Sequence, residues 1–316
     1  MSTRTVISRK PFLLGFLFVL LLLLAVAPLY ATRYSVVFLI TIFMYVILTV
    51  SWTLFSAPTG YVSLAPAAFF GTGVYASALL GLVLPLPVVI VIGSLASACL
   101  ALLVGALTLR LRGIYFVMFT FGLVEILLHF ILWWEVNVTG TTGRVVPTVN
   151  NTTVYYLMLT ILVILILTAA LTKRSKYGLA LQSIGECEEA AAHTGVHVTA
   201  LKVTTFAVSA FFMGAAGVVM ATRWTYIDPR IAFNPVLSFL PVLMAIFGGT
   251  GQLYGPVIGA AIFTSLEEFL ITRFPYYYML IFGMIMVFAI MYLPEGLVGV
   301  IQKLRNRIGG AKHDDP

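Results

Sequence analysis

Charged side chains are what this sequence is short of. Its 316 residues include 18 Lys+Arg and 11 Asp+Glu, 9% in all, against about 25% in a typical soluble domain. That is too few to cover a water-facing surface. From Tyr34 to Leu109, 76 consecutive residues contain no Asp, Glu, Lys, Arg or His. As one helix rising about 1.5 Å per residue, this stretch would overrun the roughly 30 Å apolar core of a bilayer several times, so it folds back on itself within a membrane. Cysteine is equally sparse. Cys99 lies in an apolar run and Cys187 in a polar one, which excludes a disulfide framework and a CxxC metal site. The chain also lacks any Gly-Lys pair and any HExxH, which excludes the phosphate-cradling loop of P-loop NTPases and a zincin site.

What is present is apolar, 61% of the residues, with a mean hydropathy of +1.08. The runs are continuous over about 20 residues rather than alternating, the signature of helices and not of a membrane barrel. Ten spans are expected, at 11–30, 34–55, 61–82, 87–109, 114–134, 154–172, 203–221, 236–249, 255–271 and 277–293. The fold class is therefore all-α, a polytopic helical membrane protein in one transmembrane domain over 1–316. It carries a polar loop at about 173–202 and a polar tail at about 294–316. Arg4, Arg9 and Lys10 before an apolar stretch ending in Ala25-Val26-Ala27 resemble a cleaved signal, but Pro28 and the length of the stretch favour a retained span. With both termini inside, 13 of the 18 Lys+Arg fall on the cytoplasmic side. That bias accounts for the net charge of +7 without invoking nucleic acid.

Two segments do not read as plain helices. Thr59-Gly60-Tyr61-Val62-Ser63-Leu64-Ala65-Pro66 opens the third span, and Gly248-Gly249-Thr250-Gly251-Gln252-Leu253-Tyr254-Gly255-Pro256 stands between the eighth and ninth. Broken backbone at membrane depth is tolerated only inside protein or beside a watery cavity, and paired breaks in two halves of a chain point to a transport site. Gly60, Ser63, Pro66, Gly249, Gly251 and Pro256 are therefore candidates for lining a translocation path. The alternative for either segment is that small residues let helices pack closely. Ionisable groups inside spans add Glu125 and His129, four apart on one face of the fifth span; they are either path residues or a structural pair buried between helices. Glu267 and Glu268 are expected at headgroup level, where pairing with Arg273 would explain them. Asp228 and Arg230 are expected in an outer loop, as a capped turn or as a contact for a substrate-delivering protein.

The polar loop Thr172–Lys202 contains a strong helix-forming run, Glu188-Glu189-Ala190-Ala191-Ala192, ended by Gly195. A helix this short needs something to dock against. Glu189-Ala190-Ala191, three residues, then Gly195 resembles the EAA-xxx-G signature of permease subunits in ABC importers. Gly178-Leu179-Ala180-Leu181 with Ile184 and Glu188 around it resembles the branched-chain amino acid permeases of the LivM type. Gly60-Tyr61-Val62-Ser63-Leu64, Leu109-Arg110-Leu111-Arg112-Gly113-Ile114-Tyr115 and Phe247-Gly248-Gly249-Thr250-Gly251 continue the likeness in order over roughly 50–300.

The resemblance implies the membrane-spanning subunit of an ATP-driven importer in the cytoplasmic (inner) membrane, moving branched-chain or related amino acids. Two cytoplasmic ABC ATPase subunits, which carry the ATP and magnesium, are expected to dock on the loop through Gly178, Glu188, Glu189, Ala190, Ala191 and Gly195. A second permease subunit, giving a heterodimer, and an extracytoplasmic substrate-binding protein complete the expected assembly, in contact with membrane lipid. No catalytic residue, metal or cofactor is expected in this chain itself. Related permeases serve urea, short amides or other small polar solutes, which leaves the solute open; an ion-coupled carrier using Glu125 and His129 is the competing class. Three departures stand out. The family often has Arg where this chain has Leu179 and Gly185, and His where it has Pro66.

Overall fold

The computed structural model describes residues 21–111, 113–292 and 296–299. The start of the first expected span, and all of the polar tail except 296–299, lie outside the described residues. Helices in chain order are α1 (Leu21–Tyr30), α2 (Arg33–Thr59), α3 (Pro66–Leu80), α4 (Leu86–Thr108), α5 (Ile114–Trp134), α6 (Asn151–Arg174), α7 (Lys176–Glu186), α8 (Glu188–His193), α9 (Val198–Ala221), α10 (Pro229–Ala232), α11 (Val236–Gly248), α12 (Tyr254–Arg273) and α13 (Tyr278–Tyr292). Among the described residues, seven stretches are long and apolar enough to cross a membrane, counting α5 with its continuation and α10 with α11. Three shorter apolar helices, at α1, α3 and α13, occupy the other expected spans.

Side chains at the span ends set the boundaries. Thr32 caps α2 by accepting from the Ser35 amide, and Gly60 ends it in the left-handed region at φ 72°. Asn150 caps α6 by accepting from the Thr152 amide, and Lys173 and Arg174 close that helix at the negative end of its dipole. α5 runs on into a turn of π-helix at Glu135–Thr139. A two-residue antiparallel ladder, β1 (Arg144–Val145) with β2 (Tyr226–Ile227), is the one sheet among the described residues.

The helices are not equally interior. Over its most apolar stretch α9 is 78% buried and α5 only 22%. Without water to drive apolar faces together, membrane helices associate through close packing of small residues, and α9 is built for it. A Cβ on Gly73 of α3 would collide with the Gly214 carbonyl of α9, and one on Gly217 with the Phe70 carbonyl. The backbones of α3 and α9 therefore touch, with α4 joined to the same layer where Ser97 donates to the Phe69 carbonyl at 2.9 Å. This packed centre fixes α3, α4 and α9 relative to one another.

Candidate functional site

The first interruption is a true break in the helical path. After Gly60 the chain returns along α2 without helical structure as far as Ala65, and the Trp52 indole Nε1 donates to the Ser63 carbonyl at 2.8 Å. Trp52 is seven residues before Thr59, about 10 Å back along the helix, so α3 starts inside the bundle. Its exposed donors have partners there: the Leu64 amide donates to Thr120 Oγ1 of α5 at 2.9 Å, the Ala67 amide to Ser238 Oγ of α11 at 3.1 Å, and the Ala65 amide to Ser63 Oγ at 3.2 Å. Pro66 has no amide to satisfy. This is how broken backbone survives at depth. It also means that these amides are paired within the chain rather than open to a solute. Thr120 and Ser238 were not singled out from the sequence, because hydroxyls in apolar spans are common here and nothing marks these two.

The Gly-rich segment at 248–256 is built differently. It is a tight turn between α11 and α12, with Gly249 at φ 96°. A Cβ on Gly248 would strike the Gly255 carbonyl, and one on Gly259 the Met244 carbonyl. Gly248, Gly255 and Gly259 thus bring the two helices into close contact, whereas Gly251 has open space beside it. Lys173 Nζ, at the end of α6, donates to the Gly251 carbonyl at 2.8 Å.

The two segments nonetheless meet. Gly60, Gly178, Gly251 and Pro256 border one cavity of about 360 Å³, together with Thr53, Pro58, Lys173, Gln182 and Glu186. Its size falls in the range of about 300–1,000 Å³ usual for small-molecule sites. Gly249 lies outside that lining. Ser63 and Pro66 line a narrow internal cleft with Trp52, Phe69 and Phe206. Glu125 and His129 belong to neither. They are on the outward face of α5, with side chains 40% and 73% exposed, His129 Nδ1 lying 3.8 Å from Glu125 Oε2 and 2.8 Å from the Glu125 backbone carbonyl. They are therefore not a pair buried between helices of this chain, one of the two readings the sequence offered.

The expected ATPase-docking residues divide into two sets. Ser175 caps α7, its side chain accepting from the Gly178 amide. Gly178 is pressed on the Thr172 carbonyl, and Leu181 and Ile184 are buried. A Cβ on Gly185 would collide with the Pro58 carbonyl at the end of α2, so the arginine common there in the resembling family has no room in this chain. Extended backbone at Cys187 separates α7 from α8. In α8, Ala191 is buried and Glu188 turns inward. Glu189, Ala190 and Gly195 are exposed, with Gly195 at φ 87° carrying the chain round.

Glu188 meets a residue that the sequence placed only in the count of basic groups. Lys202, in the first turns of α9, is 1% exposed. Its Nζ donates to Glu188 Oε1 at 2.7 Å, to the Leu109 carbonyl at 3.0 Å and to Tyr61 Oη at 3.1 Å. It also lies 4.4 Å from the centroid of the Tyr61 ring. Tyr61 Oη donates in turn to Glu188 Oε2 at 2.8 Å.

A fully buried carboxylate sits at the opposite end of the bundle and was also missed. Glu135, fully buried, accepts from the Gly143 amide at 2.8 Å and from Tyr75 Oη at 3.3 Å. Arg144 Nε is 3.5 Å from its Oε1, and the Arg144 guanidinium lies 5.2 Å from the Trp134 ring centroid. Nearby Asp228 caps α10 by accepting from the Arg230 amide at 2.7 Å, the capped turn that was one of its two expected roles. Glu268 accepts from Tyr34 Oη at 2.7 Å.

Comparison with known proteins follows the same lines. A family model described as branched-chain amino acid transport system / permease component matches residues 34–290. The chain is 27% identical to the high-affinity branched-chain amino acid transport system permease protein LivM of Salmonella typhimurium, over 97% of this chain and 79% of that one. It is 28% identical to the LivM of Escherichia coli over the same shares. The xylose transport system permease protein XylH of Haemophilus influenzae is 28% identical over 35% of this chain and 31% of its own. No solved structure matches the chain.

Proposed function

The chain belongs to the family of branched-chain amino acid transport system permease components, and from that premise we propose that it is the membrane-spanning subunit of an ATP-driven importer of branched-chain or related amino acids. Amino acids are favoured over sugars because the similarity to LivM extends along 97% of the chain, whereas the similarity to XylH stops at 35%. The expected orientation, with α7 and α8 in the cytoplasm, is kept. It is supported by Arg110, Lys173, Arg174, Lys176 and Lys202 lying at that end of the bundle, in keeping with the positive-inside bias.

The observation that carries the coupling assignment is the division within α7 and α8. Gly178, Gly185, Glu188 and Ala191 root the loop on the bundle, which leaves Glu189, Ala190 and Gly195 as an outward surface. A rooted loop with an exposed Ala-and-acid face is suited to receive a separate ATPase subunit. ATP and magnesium then act on that subunit, and this chain transmits the motion. The outward pair Glu125 and His129 supports a second permease subunit. An ionisable group facing lipid at the centre of a span costs about 3 kcal/mol, and a partner or a shared aqueous path against α5 would remove that cost. On this reading a substrate-binding protein would dock at the opposite end, over the β1–β2 ladder and α10.

The test is co-purification and uptake. Replacing Glu189 by Arg and Ala190 by Trp is expected to abolish association with the ATPase subunits and ATP-dependent uptake of leucine in proteoliposomes, while the chain still inserts in the membrane. Uptake driven by a proton gradient in vesicles without ATP would sink the importer reading in favour of an ion-coupled carrier.

A further inference from the structure

Gly60 is the point at which α2 stops and the first break begins, and the polar loop grips the chain on both sides of it. On the near side, Gly185 of α7 rests against the carbonyl of Pro58. On the far side, Glu188 of α8 holds Tyr61 by a hydrogen bond of 2.8 Å. Between the two grips, Gly60 sits in the left-handed region at φ 72° with open space around it. Glycine crosses between backbone regions there with little steric hindrance.

Lys202 closes the second grip. A buried ammonium is tolerated only while paired, and its partners come from three other segments: Glu188 of α8, Tyr61 of the break and the carbonyl of Leu109 at the end of α4. Because Glu188 is bonded to both Tyr61 and Lys202, and Lys202 to Tyr61, a displacement of α8 must either draw Tyr61 and the Lys202 side chain with it or break these bonds and strip the buried ammonium of its carboxylate. The first course needs only a rotation at Gly60. We propose that the Glu188–Lys202–Tyr61 cluster is the transmission point of this permease, with Lys202 as a positioning residue that makes Tyr61, and with it the entry to α3, follow the polar loop. The inference rests on the importer reading above. It adds to it which residues pass the motion from the loop to the break.

The experiment uses the full chain assembled with its ATPase subunits, second permease and binding protein in proteoliposomes, and reads ATP hydrolysis and leucine uptake together. Tyr61→Phe, which keeps the ring and removes the hydroxyl, and Lys202→Met are expected to leave hydrolysis largely intact while uptake per ATP falls by about tenfold, as loss of a coupling contact does. Because Lys202→Met removes the cation beside the Glu188 carboxylate and risks misfolding, the double variant Glu188→Gln/Lys202→Met removes both charges. It is expected to show the same fall in uptake per ATP with an unchanged unfolding temperature. Unaltered uptake per ATP in Tyr61→Phe and in the double variant would overturn the proposal while the importer reading stands. Absence of ATP-dependent uptake by the unaltered complex would overturn both.

Discussion

At the residue scale the informative groups are two carboxylates, the half-buried Glu188 and the fully buried Glu135, because each is held by a cation from another segment. For Glu135 the attraction is chiefly electrostatic. Arg144 Nε stands 3.5 Å away and has no hydrogen-bond partner among the described residues. Breaking a buried pair from one side costs more than the pair itself contributes, since it strands a charge. Arg144→Ala is therefore expected to destabilise the chain by about 3 kcal/mol, measured as a lower unfolding temperature in detergent. Adding Glu135→Gln should recover most of that loss. Equal unfolding temperatures for Arg144→Ala and the unaltered chain would show that Arg144 does not neutralise Glu135. Neither Glu135 nor Lys202 stands out in the sequence. Both lie near span ends, where a charge usually means solvent or headgroups, and only the fold turns them inward.

At the scale of elements, α5 is the helix whose role depends most on what surrounds it. Its face bearing Ile126, Phe130 and Trp133 is exposed within the chain, and Glu125 and His129 share that outward side. Substituting both by Leu is expected to leave the unfolding temperature of the isolated chain unchanged or raised, because it removes polar groups from a lipid-facing surface. The same substitutions should weaken co-purification of the second permease subunit or slow uptake. A drop in stability of the isolated chain would mean that the pair is a structural element of this bundle. The two Gly-rich segments teach a different lesson. Each offers Thr-Gly and a following Pro, yet one is a break and the other a hairpin turn. The difference lies in partners from elsewhere. Thr120 and Ser238 reach the amides that open α3, whereas Gly248, Gly255 and Gly259 bring the α11 and α12 backbones into contact.

For the whole molecule, orientation is the property most open to a direct test. Cys187 sits exposed at the corner between α7 and α8, and Cys99 is exposed on α4. With the polar loop in the cytoplasm, a membrane-impermeant maleimide is expected to label Cys187 in inside-out vesicles and not in intact cells, read by mass shift of a Cys99→Ala variant. Labelling from outside would reverse the assigned topology. The scarcity of charge already determined that the chain lives in a membrane. The long apolar runs placed the spans, the Lys and Arg bias suggested which way they face, and the Glu-Ala-Ala run with Gly195 marked the loop and its family likeness. These are properties of composition and local pattern, legible because the bilayer imposes them on each segment separately. Which face of a span turns inward was not legible, since helices apolar on all sides carry no stripe pointing to the core. Close contacts between small residues decided it. They made α9 the centre, folded the loop back on Pro58, and set Lys202 against Glu188 and Tyr61, an arrangement that exists only once segments far apart in sequence have packed.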